Sequence, residues 1–386
     1  MTATARAGPS WFQRFLLPGL AFKAVVIGGG YATGRELAEF FLPSGPWGGL
    51  AAMLLAMAIF SLVCIATFLF ARKMGAWDYQ SFFKALLGPG WVLFEATYLL
   101  FVVLILAVYG AAAGSIGTAL FGLPSFVGTA TLMAGIILVV TFGNKAVERL
   151  FAWVSYLLYG IYVLFVIAAF LKFGDRIGAG FATPVPATGW ATGGVVYAGY
   201  NVIGAIVILP VLRHLTSSRD AVIAGAIAGP LAMLPGLLFF ACMIGFYPEV
   251  AGESLPSDYL LARMNLPAFH LLFQLMIFSA LLESGTSAVH AINERVARAR
   301  QRRGSGALSH RARLAIALVL LVGCMLLADR FGLVALIANG YRALAYIMLA
   351  VFVLPLATIG VVRIRARSRP PNPPESEGED HAESPA

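Results

Sequence analysis

Apolar residues run along this chain in long blocks separated by short polar connections. Ten blocks, each of roughly 18 or more residues, are long enough to cross a bilayer as helices. They fall near 15–42, 47–70, 91–118, 124–142, 151–172, 189–212, 220–246, 269–294, 312–329 and 332–361. Two of these blocks carry an internal fault. In the first, the run Val25-Val26-Ile27-Gly28-Gly29-Gly30-Tyr31-Ala32-Thr33-Gly34-Arg35-Glu36 sets four glycines within seven positions. Glycine costs a helix interior about 1 kcal/mol relative to alanine, so this run predicts local unwinding. Unwound backbone at membrane depth exposes peptide groups that lipid cannot satisfy. It is tolerated where protein packs around it or where a polar cavity and its ligand meet it. The sixth block repeats the fault with Gly193, Gly194, Gly199, Asn201 and Gly204, and Pro210 follows. Five blocks lie from the first fault to the second, so the second interrupted helix crosses in the opposite direction.

Two interrupted helices at matching places in two five-span halves point to a midplane binding site between inverted repeats. The expected fold is an all-α membrane protein of ten transmembrane helices, a 5+5 inverted repeat with helices 1 and 6 broken. Residues 1–14 form an N-terminal segment and 15–362 the ten-helix domain, with repeat halves near 15–172 and 189–362. Residues 363–386 form a basic and then Pro-rich, acidic tail whose composition predicts a solvated, unstructured segment. The competing reading of the glycines is a small-residue face for close helix packing.

Composition agrees with a membrane protein: 60% hydrophobic residues, 12% charged, mean hydropathy +0.86. Cys64, Cys242 and Cys324 each lie inside an apolar run and read as small buried hydrophobes. No CxxC, HExxH or Walker-type loop occurs, and the five histidines are scattered, so no catalytic or metal constellation argues for an enzyme or a cofactor. The net charge of +9 reflects topology rather than nucleic acid binding. One alternating set of connections holds most of the basic residues, from Arg6 and Arg14 through Arg72, Lys73, Arg213 and the Arg295–Arg313 loop to Arg363–Arg369. The other set holds Lys172, Arg176, Arg263 and Arg330. This bias predicts both termini in the cytoplasm and an even number of spans. The first apolar block is too long for a cleavable signal peptide.

At these residues a resemblance becomes specific. The run Gly28 to Leu37, followed by Phe40 and Phe41, is similar to the first helix of the YkvI-like bacterial membrane proteins, which carry Gly-x-Gly-aromatic-Ala-Ser-Gly-Gln-Glu. Thr33 stands here for the serine and Arg35 for the glutamine. Over residues 15 to about 362 the chain resembles the amino acid–polyamine–organocation superfamily with the LeuT-type fold. That resemblance implies a secondary transporter in the bacterial inner membrane, broken at helices 1 and 6 around the substrate and lined by helices 3 and 8. It implies substrates such as amino acids or related small solutes, driven by Na⁺ or H⁺.

For contacts with the solute, the candidates are the backbone of Gly28, Gly29, Gly30 and Gly34 with Tyr31, Tyr109, Tyr200 and Asn201. Tyr109 precedes the small-residue run Gly110 to Gly114, which lets broken helices approach; core packing is the alternative for the tyrosines. Lacking an obvious charged clamp, such a site suits a small neutral or zwitterionic solute. In the eighth block Ser279, Glu283, Ser287 and His290 share one helical stripe. Glu283 lies about 18 Å along the helix from Arg295, and an intramembrane carboxyl is costly unless it serves a function. In the LeuT-type resemblance a Na⁺ sits between the unwound first helix and the eighth, which implies Gly28, Ser284, Thr286 and Ser287 as its ligands with Glu283 adding charge. The same Glu283 serves equally as a proton carrier, or as a structural hydrogen-bond donor. Lys23 either snorkels to the surface or approaches His290 as a built-in cation. His290 reads as a packing residue or a partner of Glu294, and Glu95 as an interfacial residue. The resemblance also implies an outer charge pair, for which Arg35, Glu36, Glu39 and Arg342 qualify, with a static salt bridge as the alternative.

The function reading is therefore an ion-coupled transporter of a small solute in a lipid bilayer. A non-transporting solute sensor on the same scaffold is the alternative.

Overall fold

The computed structural model describes residues 8–142, 145–302, 304, 306 and 308–366. The first crossing is in three pieces, α1 (Leu17–Val26), α2 (Gly29–Ala32) and α3 (Arg35–Phe40), preceded by a π-helical turn Phe12–Leu16. Then follow α4 (Gly45–Met74), α5 (Tyr79–Leu87), α6 (Trp91–Phe121), α7 (Ser125–Phe142) and α8 (Lys145–Ala182). The second half begins with α9 (Trp190–Asn201) and α10 (Gly204–Val207), and continues with α11 (Ser218–Ile244), α12 (Pro256–Met264) and α13 (Pro267–Arg302). It closes with α14 (His310–Ala335), α15 (Arg342–Met348) and α16 (Val361–Ala366), linked by π-helical turns. Among the described residues there is no strand.

Eight continuous helical stretches are long and apolar enough to cross a membrane. The last, His310–Ala366, has 57 residues and would span roughly 85 Å as one rod, far more than a bilayer. It turns at Gly332, whose φ of 72° and ψ of 170° no helix adopts, and so makes two crossings. With the fragmented first helix, ten crossings result, and the protein is a multi-pass membrane protein. Side chains such as Leu171, Val319 and Leu62 remain exposed on the perimeter, where lipid rather than water is the solvent.

Salt bridges and hydrogen bonds sort the connections onto two faces. On one, Arg14 meets Asp220, Arg72 reaches the Thr216 carbonyl, Lys73 the Ile364 carbonyl, and Arg363 the Ala85 carbonyl. This face also holds Arg295 paired with Glu95 and Arg313 paired with Glu294. On the other, Lys172 donates to the Met264 carbonyl, Trp47 to the Phe181 carbonyl, and Arg35 to those of Ala251 and Glu253. The residues that the charge bias groups together are thus physically together, on what is called below the basic face.

The first, second, sixth and seventh crossings (α1, α4, α9 and α11) pack as one group, with α4 against α11 and α9 and α1 against α11; α6, α7, α13 and α14 form a second. The pairing of 1 and 2 with 6 and 7 is that of the inverted repeat. The close approaches rest on glycine: a Cβ at Gly194 would sit 2.6 Å from the Ala52 carbonyl oxygen, and one at Gly225 2.6 Å from the Ile65 nitrogen. Gly193 and Gly199 of the sixth helix serve in the same way against Phe40 and Ala345. The packing reading therefore applies to most glycines of that helix, and its interruption falls later, at Val202–Ile203.

Two short helices were not legible as spans. α5 starts at Asp78, whose side chain accepts from the Gln80 and Ser81 amides, and buries Phe82, Phe83 and Leu86 against Phe94 and Phe352. α12 packs against the first crossing on the other face. Residues 1–7, the whole Pro-rich and acidic tail and part of the basic loop at 299–306 lie outside the described residues; residues 363–366, expected to open that unstructured tail, are instead helical, in α16.

Candidate functional site

The first crossing loses its helical ladder at Ile27, whose ψ is 75°. The Gly28 amide turns to the Val26 carbonyl at 2.9 Å instead of reaching back four residues, so the Ala24 carbonyl lacks its usual partner. One turn later Gly34 takes φ 79°, a left-handed conformation that favours glycine. The freed peptide groups around Thr33 are met by protein: its carbonyl accepts from the Ser257 amide of α12 at 2.9 Å, and its hydroxyl donates to the Gly30 carbonyl at 2.9 Å. The sixth crossing is interrupted more gently. After Asn201 the amides of Ala205 and Ile206 bond three residues back, to Val202 and Ile203, and the helix resumes for only one turn.

Between the two interruptions lies a cavity of about 20 Å³, lined by Val25, Gly28, Glu36, Phe101, Ile105, Tyr109, Tyr200, Asn201, Ile203 and Tyr341 among others. That is room for about one water-sized group. Glu36 is 4% exposed, and its Oε2 accepts from the Tyr200 hydroxyl at 2.5 Å. Its Oε1 lies over Gly30, where any Cβ would collide with it. The Tyr200 and Tyr341 rings stand 4.5 Å apart, and the Tyr109 hydroxyl sits 3.2 Å from where a Gly28 Cβ would be.

The cavity shares Val25, Gly28, Phe101, Ile105 and Tyr109 with a vestibule of about 340 Å³. The vestibule is further lined by Tyr98, Tyr159, Glu283, Ser284, Ser287 and Ala291. Tyr98 lies under the Arg295 guanidinium, 3.5 Å from its ring centre, so the vestibule runs to the basic face. Towards the other face, Phe40 packs in tilted contact with Tyr200 and Tyr197, and the buried Arg35 ties α3 to the Ala251 and Glu253 carbonyls and to Glu39 at 2.6 Å. The cavity is thus covered on one side and borders the vestibule on the other, with five wall residues in common.

Of the expected solute contacts, Gly28, Tyr109, Tyr200 and Asn201 line the cavity, and Gly30 does not line it but lies against the Glu36 carboxyl. Tyr31 turns away, its hydroxyl 3.4 Å from the Ala232 carbonyl, because α2 presents it to α11. Gly34 packs against Phe239 and Pro256, and Gly29 lies in the backbone of α2. Of the ion-coupling set, Glu283, Ser284 and Ser287 line the vestibule beside Gly28. Thr286 does not; its hydroxyl bonds back to the Leu282 carbonyl at 2.7 Å. The Lys23 Nζ rests 4.2 Å from the Tyr159 ring centre. Glu294 is taken by Arg313 at 2.7 Å. In the outer charge set, Glu39 joins Arg35 and, at 3.8 Å, the half-exposed Arg342. Glu36 stands apart from that set, inside the cavity. Tyr341 and Phe101 also line it, and neither was singled out by sequence. The adjacency of Tyr341 to Arg342 was the available signal.

No family model matches the chain. Among curated proteins it is 26% identical to YkvI, an uncharacterized membrane protein of Bacillus subtilis (strain 168), over 283 residues, covering 72% of this chain and 80% of that one. Its fold is similar to MhsT in complex with L-phenylalanine, with a TM-score of 0.57 at 16% identity, covering 95% of this chain and 99% of that one. It is also similar to a substrate-bound, outward-open Na⁺-coupled sialic acid symporter, with a TM-score of 0.58 at 15% identity, covering 92% and 82%. The chain is thus similar in sequence to YkvI and has the LeuT-type fold.

Proposed function

We propose that the protein is a secondary transporter, coupled to Na⁺ or H⁺, that carries a small neutral or zwitterionic solute of the amino acid type by alternating access. One observation supports this reading: two interrupted helices meet over a small cavity that is covered towards one face and shares a wall of five residues with a larger vestibule towards the other. That is the geometry of a carrier caught with one gate shut. The basic face is assigned to the cytoplasm of a bacterial inner membrane by the positive-inside bias, which makes this conformation inward-open and puts both termini inside. Gly28, the Ala24 carbonyl released by the Gly28 amide, Ser284 and Ser287 offer neutral oxygens of the kind Na⁺ takes, with Glu283 adding charge; Glu283 alone serves a proton. The fold neighbours, one holding L-phenylalanine and one Na⁺-coupled to a sugar acid, support the solute and ion classes by analogy of fold.

The test is solute accumulation in proteoliposomes under imposed Na⁺ or pH gradients, comparing native protein with Glu283→Gln. Gradient-driven accumulation that Glu283→Gln abolishes supports the reading. Specific ligand binding without accumulation under either gradient identifies a sensor on the same scaffold instead.

A further inference from the structure

We propose that a cleft on the lipid-facing side of the first crossing binds a free fatty acid from the bilayer, with its carboxylate on the Lys23 ammonium and its alkyl tail between α8 and α11. The cleft shares no residue with the small cavity at the helix breaks, and the proposal does not depend on what the protein carries.

The cleft has a volume of about 370 Å³. Ile27, Tyr31 and Ala32 of the first crossing form one wall, and Tyr162 and Val166 of α8 continue it. Its rims are two ridges: Tyr159, Val163 and Ile167 on α8, and Leu234 and Leu238 on α11. The rim residues recur every four positions, on one face of each helix, and each is between 38% and 56% exposed. At membrane depth such side chains meet acyl chains rather than water, so the cleft opens sideways into the bilayer. Tyr31 and Tyr162 spend their hydroxyls on the Ala232 and Pro235 carbonyls. Among the described residues Lys23 is the only charged one in the wall.

Lys23 selects the occupant. Its ammonium rests over the Tyr159 ring, a contact that offsets only part of the cost of a cation at that depth. Among the described residues it forms no ion pair. Glu283 lines the vestibule and Lys23 the cleft, with Tyr159 in both walls. An anion in the cleft therefore meets Lys23 from the lipid side, but it has to do so inside the membrane. Lys23 lies about 13 Å along the helix from Arg14, which pairs with Asp220 at the basic face. A phospholipid phosphate stays at that rim. A free fatty acid moves through the acyl region as the neutral acid, so it can bring its carboxyl group to that depth. The volume takes about a dozen groups of roughly 30 Å³, which is a carboxyl with a tail of about ten carbons. The α8 ridge from Tyr159 to Ile167 runs about 12 Å, so such a tail lies along it without leaving the cleft.

The experiment uses the full chain in phosphatidylcholine nanodiscs, irradiated with a decanoic acid that carries a diazirine near its tail end, and maps the label by mass spectrometry. Label is expected on the ridges at 163–167 and 234–238. Decanoate should displace it at least about tenfold more effectively than decanol, which has the same tail without the charge. Lys23→Met, which keeps the apolar stem, should lower the acid's apparent affinity about tenfold or more. Lys23→Arg, which keeps the charge, should change it less than about threefold, and Glu283→Gln should not lower it. Equal labelling of the native protein and Lys23→Met overturns the proposal, as does equal displacement by decanol or label spread evenly around the perimeter. So does loss of labelling in Glu283→Gln, which would make Lys23 a counter-ion of the vestibule. Adding phosphatidylglycerol to the nanodisc tests the rival occupant: labelling that holds within about twofold supports the fatty acid, and its loss assigns the cleft to anionic phospholipid instead. If Lys23→Met does not fold, the comparison of decanoate with decanol on the native protein decides alone.

Discussion

The Tyr200 hydroxyl donates to Glu36 Oε2 at 2.5 Å, joining the end of one interrupted helix to the resumed half of the other. The bond spans 164 positions of sequence and closes the cavity from the sealed side, where the Tyr200 ring also packs at a tilt against Tyr341. Opening towards that face requires this contact, or the Phe40 and Tyr197 layer above it, to part.

Gly30→Ala places a Cβ against Glu36 Oε1 and must push the carboxylate from its seat. The melting temperature should fall by several degrees in the same lipid. Gly178→Ala on α8 meets no atom within 4 Å and replaces glycine in a helix, so it should melt no lower than the native protein. Equal behaviour of the two variants would remove the assigned role of Gly30.

Arg35→Gln removes charge-assisted bonds at 2.9, 2.8 and 2.6 Å that hold α3 to the loop before α12 and to Glu39. Such bonds contribute roughly 1.5–3 kcal/mol each when buried, enough to shift a two-state equilibrium. A Val196→Cys reporter, 2% exposed on the sealed side, should then react with an impermeant maleimide at least about tenfold faster. The native cysteines are buried and should stay silent.

Ser287→Ala and Thr286→Val separate the vestibule wall from the helix interior. Ser287 faces the vestibule, whereas the Thr286 hydroxyl is spent on the Leu282 carbonyl. Under a Na⁺ gradient, Ser287→Ala should raise the Na⁺ needed for half-maximal flux several-fold while Thr286→Val leaves it unchanged. Unchanged Na⁺ dependence in both would favour protons at Glu283.

At the basic face, Ser217 and Asp220 form a reciprocal capping box at the start of α11, and Asp220 also accepts from Arg14 at 2.8 and 2.9 Å. Ser217→Ala should lower stability by about 1 kcal/mol, read as a fall in melting temperature in the same lipid. Asp220→Ala should cost more, because it removes the box, the Thr216 bonds and the tether of the first crossing together.

The number of crossings, their alternation, the grouping of basic connections and the break at Gly28 follow from residues that are near one another in sequence. Hydrophobic length and helix-breaking cost are local quantities, so they can be read from the chain itself. The partition of Arg35 and Glu36 could not. These neighbours end on opposite sides of the seal, one in the outer charge cluster and one in the cavity. A continuous helix carries its rotational phase along its length, so the face of each side chain follows from counting residues. An unwound stretch breaks that count: the direction α3 presents depends on the torsions at Ile27 and Gly34 and on how Ser257, Phe239 and Pro256 receive them. The same loss of phase sent Tyr31 to α11 and brought Tyr341, from the far end of the chain, to the carboxylate. Length, polarity and the place of the break belong to the sequence. Which side chains face each other across it was decided by packing between helices remote in sequence, since that alone fixes the angle at which a broken helix resumes.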